Sequence, residues 1–250
     1  MNETIKVLHH RASIRKYDDM PISSTHQDLI NEAIFRSPTA GNMQDFSVII
    51  VDEPELKAQL STLCDHQLFI KEAPLLYIFV ADFTRYDKYF KLCNVDQSEF
   101  KAPHLGSMMN AIIDSTIAAQ SASVAANSLG IGTCYIGDIV ENYEAVTKLL
   151  NINPNTIPVT MLTMGYYTQE LKLSPKIDKS FIFHKNIYKE PTDKQILEMF
   201  ELKKVPKKFQ DQFENFGQFY YKHKVGASFS VEMDRSMRKY ISNFNHNEKK

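Results

Sequence analysis

Hydrophobic positions along this chain fall into two kinds of segment. Phe46-Ser-Val-Ile-Ile-Val51 and Leu75-Leu-Tyr-Ile-Phe-Val-Ala81 are short, nearly unbroken runs of β-branched and aromatic residues, which predict buried strands. The glycine-framed run Gly130–Gly137 and the run Ile157-Pro-Val-Thr-Met-Leu-Thr-Met-Gly165 predict two more. Pro158 has no N–H to give a ladder, so it belongs at an edge or at a strand's beginning. Between these runs the apolar residues recur at helical spacing. Ile5, Val7 and Leu8 predict a short amphipathic helix. Leu29, Ile30, Ala33 and Ile34 predict another, opened by a capping box from Ser24 to Gln27 and closed near Ser37-Pro38. Glu53–Cys64 reads as a helix, as does Asn142–Leu150 with Ala145, Val146, Leu149 and Leu150 as its inner face. Strands and helices alternate without a regular βαβ beat, so the predicted class is α+β, a sheet layered between helices.

The longest apolar segment, Met108–Leu129, could be mistaken for a membrane span. Asn110, Asp114, Gln120 and Asn127 would each be costly in lipid. Its many Ala and Ser residues predict instead a closely packed internal or interface helix. Over 250 residues, 43% are hydrophobic and 24% charged, ordinary values for a globular chain of one large domain or two small ones. Net charge is −1, which gives no global pull toward nucleic acid or a membrane surface. The balance is uneven: residues 201–250 carry 11 Lys and Arg against 6 Asp and Glu. That basic tail raises a nucleic-acid-binding alternative, but its aromatics (Phe209, Phe213, Phe216, Phe219, Tyr220 and Tyr221) stand at spacings better suited to packing. Cys64, Cys93 and Cys134 are odd in number and far apart, with no C-x-x-C, which suits a reducing cytoplasm; Cys93 and Cys134 are expected to be packed residues rather than nucleophiles. Arg11, Arg15 and Lys16 interrupt any apolar leader before residue 20.

Candidate chemistry is spread along the chain. Arg11, Ser13 and Arg15 occupy alternate positions, so extended backbone sends two guanidiniums and a hydroxyl to one side, a set suited to an anion such as phosphate. Taken alone, the same motif also describes a surface loop with scattered basic residues. Familiar catalytic motifs fail. Gly130-x-Gly132 is followed by Tyr135 where a dinucleotide fingerprint needs Gly or Ala. Ser13-Ile-Arg-Lys16 lacks the partner motifs of acyl transfer. No histidine or cysteine spacing suggests zinc, and no nucleophile elbow or Walker A sequence is present. What survives is the basic arm, an amide-rich loop with Asn42 and Gln44, an aromatic among glycines at Tyr135–Gly137, and a late basic loop at Lys176. One ligand with a phosphate, a polar ring edge and a flat ring could use all four, and flavin mononucleotide (FMN) has those parts.

These residues resemble the nitroreductase/flavin reductase family, and most of all its NADPH-dependent, oxygen-insensitive branch. The resemblance rests on H-R-A-S-I-R-K-Y at 10–17 with D-x-x-P-I-S following, S-P-T-A-G-N-M-Q at 37–44, A-D-F-x-R at 81–85, A-A-Q-S-x-x-x-A-A-x-S-L-G-I-G-x-C-Y-I-G at 118–137, E-A-V-T-K-L-L at 144–150 and H-K-N-x-Y at 184–188. It covers roughly residues 3–190 in the family's order. It implies an intertwined homodimer built on a central, mostly antiparallel sheet between helices. The implied domains are an FMN-binding domain over 1–190 and a basic helical extension over 191–250 packed on the same domain. Arg11, Ala12, Ser13 and Arg15 match the family's phosphate arm. Thr39, Asn42 and Gln44 match its loop beside the ring and ribityl chain, Gln67 a flavin-edge amide, and Tyr135, Ile136 and Gly137 the backbone beside the ring. Lys176 stands where the branch usually has Arg near the phosphate. Asp138 departs from a usual second Gly, and Ser174 from a common Lys. The expected activity is electron transfer from NADPH (NADH also possible) through FMN to nitro compounds, quinones or free flavin by a ping-pong cycle, with no acid or base residue from the protein. Lys224, and less directly Lys222, would read the NADPH 2′-phosphate. The alternative is a non-catalytic FMN-binding module of the same fold. The resemblance implies neither nucleic acid nor membrane as a partner, and no metal.

Overall fold

A computed structural model describes residues 1–98 and 102–244. Four strands, β1 (Phe46–Val51), β2 (Leu75–Asp82), β3 (Ile131–Ile136) and β4 (Thr156–Tyr166), form one sheet in the order β1-β2-β4-β3. Every neighbouring pair is antiparallel. All four predicted strands are present within a residue or two. β4 is an interior strand, so Pro158 is not at an edge. It lies near the beginning of β4, opposite Val80, where the register against β2 shifts and a missing donor is tolerated.

β2 explains why its run is unbroken. Leu75, Tyr77 and Phe79 face one layer of the core and Leu76, Ile78 and Val80 the other, so both faces of the strand are covered. On the first face lie α1 (Glu3–His10)'s neighbour α6 (Leu105–Ser128) and α2 (Ser24–Phe35), with Ile30, Ile34, Ala118, Ala119, Ala122 and Ala126 buried against the sheet. On the second lie α3 (Pro54–Leu63), α4 (Leu68–Glu72) and α7 (Tyr143–Leu149), contributing Leu60, Ile70 and Val146. α5 (Thr84–Leu92) and α10 (Ser228–Phe244) close one end, where Phe83, Met108, Tyr240 and Phe244 pack together.

The local start and stop signals need several corrections. The cap of α2 is Ser23, whose hydroxyl accepts from His26 N–H at 3.2 Å, so the expected Ser24–Gln27 box is displaced by one residue. Gln27 instead donates to the Ile22 carbonyl at 2.9 Å. α6 begins at Leu105, three residues before Met108, because His104 caps it by accepting from Ser107 N–H. Its small residues are consumed inside the chain, where Ala side chains let the helix lie close on the sheet. The outer stripe is Leu105, Met109 and Ile113, all exposed. Val146 of α7 is buried, but Ala145 is exposed and not part of the inner face. Cys64 and Cys134 are buried, whereas Cys93, at the end of α5, is exposed rather than packed. α4 and α5 had no clear periodic signal. No helix among the described residues is long and apolar enough to cross a membrane.

Contacts divide the chain into two compact units, Met1–Lys172 with the segment from Glu232 onward, and Leu173–Val231. The second unit contains α8 (Asp193–Phe200), opened by a Thr192–Gln195 capping box, and α9 (Phe216–Tyr220), which runs into a wider π-helical turn over Tyr221–Val225. Phe209, Phe213, Phe216, Phe219 and His223 form one aromatic cluster there, so these tail aromatics are packing residues.

Candidate functional site

The basic arm begins where α1 stops. Arg11 ends the helix, its N–H still bonded to the Val7 carbonyl at 3.0 Å, and residues 11–17 continue extended along the sheet. Ser13 bridges Thr133 of β3 in parallel, and Ile14 N–H donates to the Thr133 carbonyl at 3.0 Å. Ile14 is buried while Ser13 and Arg15 are exposed, so the alternation read from the sequence is present in three dimensions. Ala12 is half-buried between Arg11 and Ser13. Tyr17 pins the arm's far end: its hydroxyl donates to the Ile14 carbonyl at 2.7 Å and meets Thr163 Oγ1 at 2.6 Å. Burial pushes that phenol up, so it stays a donor.

Two glycines make the seat for this arm. Gly132 of β3 and Gly165 of β4 stand opposite each other in register. A methyl group on Gly132 would come within 2.6 Å of Ile14 Cγ1, and one on Gly165 within 2.7 Å of Tyr17 Cδ1. The arm therefore lies against bare backbone.

Cys134, next to the Thr133 that the arm bridges, is buried. Burial pushes its thiol up, against the pull of Arg15, Ser13 and Arg11. The Arg11 guanidinium lies 5.9 Å from the Tyr135 ring centre and that of Arg15 5.8 Å from the Phe69 ring. Nη1 of Arg11 is buried with no hydrogen-bond partner. An unpartnered buried guanidinium nitrogen is costly, and an anion would satisfy it.

The amide loop is held from below. Ala40 N–H donates to Asp114 Oδ1 at 3.0 Å and Gln44 N–H to Thr39 Oγ1 at 3.1 Å. Arg85 donates to the Gln44 carbonyl, to the Phe46 carbonyl at 2.8 Å and to Ser47 Oγ at 3.0 Å. These bonds hold Asn42 and Gln44 in the left-handed region, at φ 57° and 56°, with both residues exposed. Below the loop, Asp45 Oδ1 and Asp114 Oδ2 are buried and unpartnered. Burial, then the charge of Asp114, pushes the Asp45 carboxyl up to about 6.

Tyr135 donates its hydroxyl to Gln120 Oε1 at 3.1 Å, Ile136 is buried, and a methyl group on Gly137 would meet nothing within 4 Å. There is thus open space in front of the Gly137 backbone. Asp138 opens a short turn over Asp138–Val140. Gln67 does not stand free as an edge amide: its Nε2 donates to Asp138 Oδ2 and to the Cys64 carbonyl at 3.0 Å. Burial, then Asp65 and Asp138, pushes the nearby Glu141 carboxyl up to about 7.

Lys176, Lys222 and Lys224 belong to the second unit, and all three are exposed. Lys176 and Ser174 lie in the irregular stretch before residue 179. Lys222 and Lys224 are in the π-helical turn, where Lys224 Nζ sits 5.5 Å from the Phe229 ring. Sequence reasoning assigned no role to Arg85, Asp45, Asp114 or Asp65. Arg85 lay inside the quoted A-D-F-x-R run, so a signal for it existed. The carboxylates had none, because the burial of Asp45 and Asp114 and the neighbours of Asp65 are tertiary properties.

A helix-flanked antiparallel sheet, with a basic arm seated on β3 and open space in front of Gly137, defines the class: an α+β protein. The chain belongs to the nitroreductase family, whose model matches residues 8–166. It is 33% identical over 191 residues to the FMN reductase [NAD(P)H] of Bacillus subtilis, covering 75% of each chain. It is 28% identical over 201 residues to the oxygen-insensitive NADPH nitroreductase of Salmonella typhimurium, covering 80% of each. Among solved structures, Bacillus megaterium NfrA2 superposes with a TM-score of 0.79 at 28% identity, covering 94% of this chain and 98% of that one.

Proposed function

We propose that this chain is an FMN-dependent oxidoreductase that passes electrons from NADPH to nitro compounds, quinones or free flavin. The observation that carries the reading is the buried, unpartnered Nη1 of Arg11, on the same arm as Ser13 and Arg15. The names of the relatives, FMN reductase and NADPH nitroreductase, agree with it. The donor set fits FMN: two guanidiniums and a hydroxyl suit a phosphate, and the space before Gly137 suits a flat ring. Bound FMN would supply hydride acceptance and electron release, chemistry that no side chain of this site offers.

The chain's own part is binding and positioning. Arg11, Ser13 and Arg15 bind the phosphate, with Ala12 backbone between them. Thr39 shapes the loop from which Asn42 and Gln44 reach the ligand. Tyr135, Ile136 and Gly137 present backbone to the ring. Asp138, tied to Gln67, places a carboxylate at that edge and opposes added negative charge there. From the resemblance, Lys176 is assigned to the phosphate and Lys222 and Lys224 to the NADPH 2′-phosphate. We further assign a ping-pong cycle in which NADP⁺ leaves before the acceptor enters, a cytoplasmic location supported by three free cysteines, and a homodimer supported by the exposed apolar stripe of α6. The extension over 191–250 is assigned to the same working domain.

The test is anaerobic stopped-flow spectroscopy of the purified protein. We expect about one FMN per chain, bleached by NADPH and restored by a nitroaromatic, a quinone or free flavin, with parallel-line initial-rate patterns. Bound FMN that NADPH does not bleach would identify a binding module instead, and protein without affinity for FMN would overturn the reading.

A further inference from the structure

The turn between α3 and α4 and the turn after β3 bring three carboxylates together. Asp65 and His66, just before Gln67, both adopt left-handed backbone, at φ 57° and 54°. Asp138 and Glu141 lie on the turn after β3, which Glu141 closes by donating its N–H to the Asp138 carbonyl at 3.0 Å. One carboxylate oxygen from each of Asp65, Asp138 and Glu141 lies within 4.8 Å of the other two. Among the described residues no Lys or Arg forms an ion pair with any of them. Asp65 is exposed, Asp138 half-buried and Glu141 only 2% exposed, so the group runs from the interior to solvent.

An acidic cluster alone signifies little, and many are simply solvated. Here Glu141 is the second observation. Its side chain is buried, and Oε1 has no hydrogen-bond partner. A buried carboxylate with an unpartnered oxygen, in a group with two further carboxylates, needs a positive ligand or a proton.

We infer that Asp65, Asp138 and Glu141 form a binding site for a hard divalent cation of calcium size. The donors are all carboxylate oxygens, the set hard cations take. Ca²⁺ accepts irregular geometry and several carboxylates, whereas Mg²⁺ demands near-octahedral geometry, keeps most of its waters and usually takes one or two carboxylates. Three carboxylates from two separate turns therefore suit the larger, more permissive ion. Water supplies the remaining ligands on the solvent side. The three carboxylates are not residues of the phosphate arm, and the inference does not rest on the identity of the flavin, although Asp138 also follows Gly137 directly and accepts from Gln67.

The test is calorimetric titration of CaCl₂, MnCl₂ and MgCl₂ into the purified holoprotein after dialysis against chelator. We expect one Ca²⁺ per chain, with Mg²⁺ about tenfold weaker or more, and a loss of about tenfold or more in Ca²⁺ affinity in both Glu141→Gln and Asp65→Asn. Asp65→Asn keeps the test sound if Glu141→Gln fails to fold, since residue 65 is exposed and Asn accepts left-handed backbone. No saturable binding of any of the three ions up to about 10 mM would overturn the inference. So would Ca²⁺ affinity unchanged in Asp65→Asn, and Mg²⁺ binding as tightly as Ca²⁺ would overturn the size assignment.

Discussion

The seat of the basic arm can be tested by adding one methyl group. In Gly132→Ala the new Cβ would stand 2.6 Å from Ile14 Cγ1, 2.8 Å from Ile14 Cβ and 2.7 Å from Tyr167 Cδ1, where ordinary contact begins at 3.4 Å. Ile14 therefore has to retreat by about 0.8 Å, the difference between 2.6 and 3.4 Å. It cannot do so freely, because its N–H is held by the Thr133 carbonyl and its carbonyl by the Tyr17 hydroxyl. Overpacking of this kind costs about 1–3 kcal/mol. In a chain of this size that lowers the melting temperature by roughly 2–12 °C. Ser13 and Arg15 flank Ile14, so the same retreat misplaces two of the three proposed phosphate donors. We expect weakened FMN retention, measured by fluorescence of released flavin, together with the lower melting temperature. Gly137→Ala is the contrast: its Cβ meets nothing within 4 Å, so apoprotein stability should stay the same while FMN retention falls if the ring occupies that space. If Gly132→Ala keeps both the parent melting temperature and the parent FMN affinity, the arm is not seated on bare backbone and the reasoning fails.

Arg15→Ala should weaken FMN far more than riboflavin, by on the order of ten- to a hundredfold, since a charge-assisted bond is worth about 1.5–3 kcal/mol; equal loss for both ligands in equilibrium dialysis would remove Arg15 from the phosphate. Lys224→Ala should raise the KM for NADPH, leave that for NADH nearly unchanged and leave FMN content intact. An unaltered NADPH-to-NADH ratio in steady-state kinetics would show that the turn does not read the 2′-phosphate. Asp45 gives a pH signature. Its carboxyl is raised from 3.8 to about 6, so the native state holds this proton more tightly than the unfolded chain. Its contribution to stability is full below about pH 4 and is lost as the pH rises through about 6, a swing on the order of 3 kcal/mol. Asp45→Asn stays neutral, so its stability relative to the parent should climb between pH 4 and 7 and then level off. A difference that stays flat with pH in denaturant titrations would contradict the buried-acid account.

By itself the sequence determined most of the element types, though not α4 or α5, together with the strand positions and the alternation of the basic arm. These are local properties. A strand covered on both faces must read as an unbroken apolar run, as β2 does, and extended backbone must send Ser13 and Arg15 to the side opposite Ile14. The ordered set of short motifs was enough to point to the nitroreductase family, because those stretches carry the site's backbone geometry. Only tertiary structure decided the rest. That Gly132 and Gly165 stand face to face is a fact of register between β3 and β4, invisible while the two glycines lie far apart in the chain. The small residues of α6 could have served an interface or a core, and the sheet beneath them settled the matter for the inward face. Asp45 with Asp114, and Asp65 with Asp138 and Glu141, look like ordinary solvated acids in the sequence. The character of Asp45 and Glu141 comes from burial and from neighbouring charge, and both depend on which distant segments the fold brings within a few ångströms.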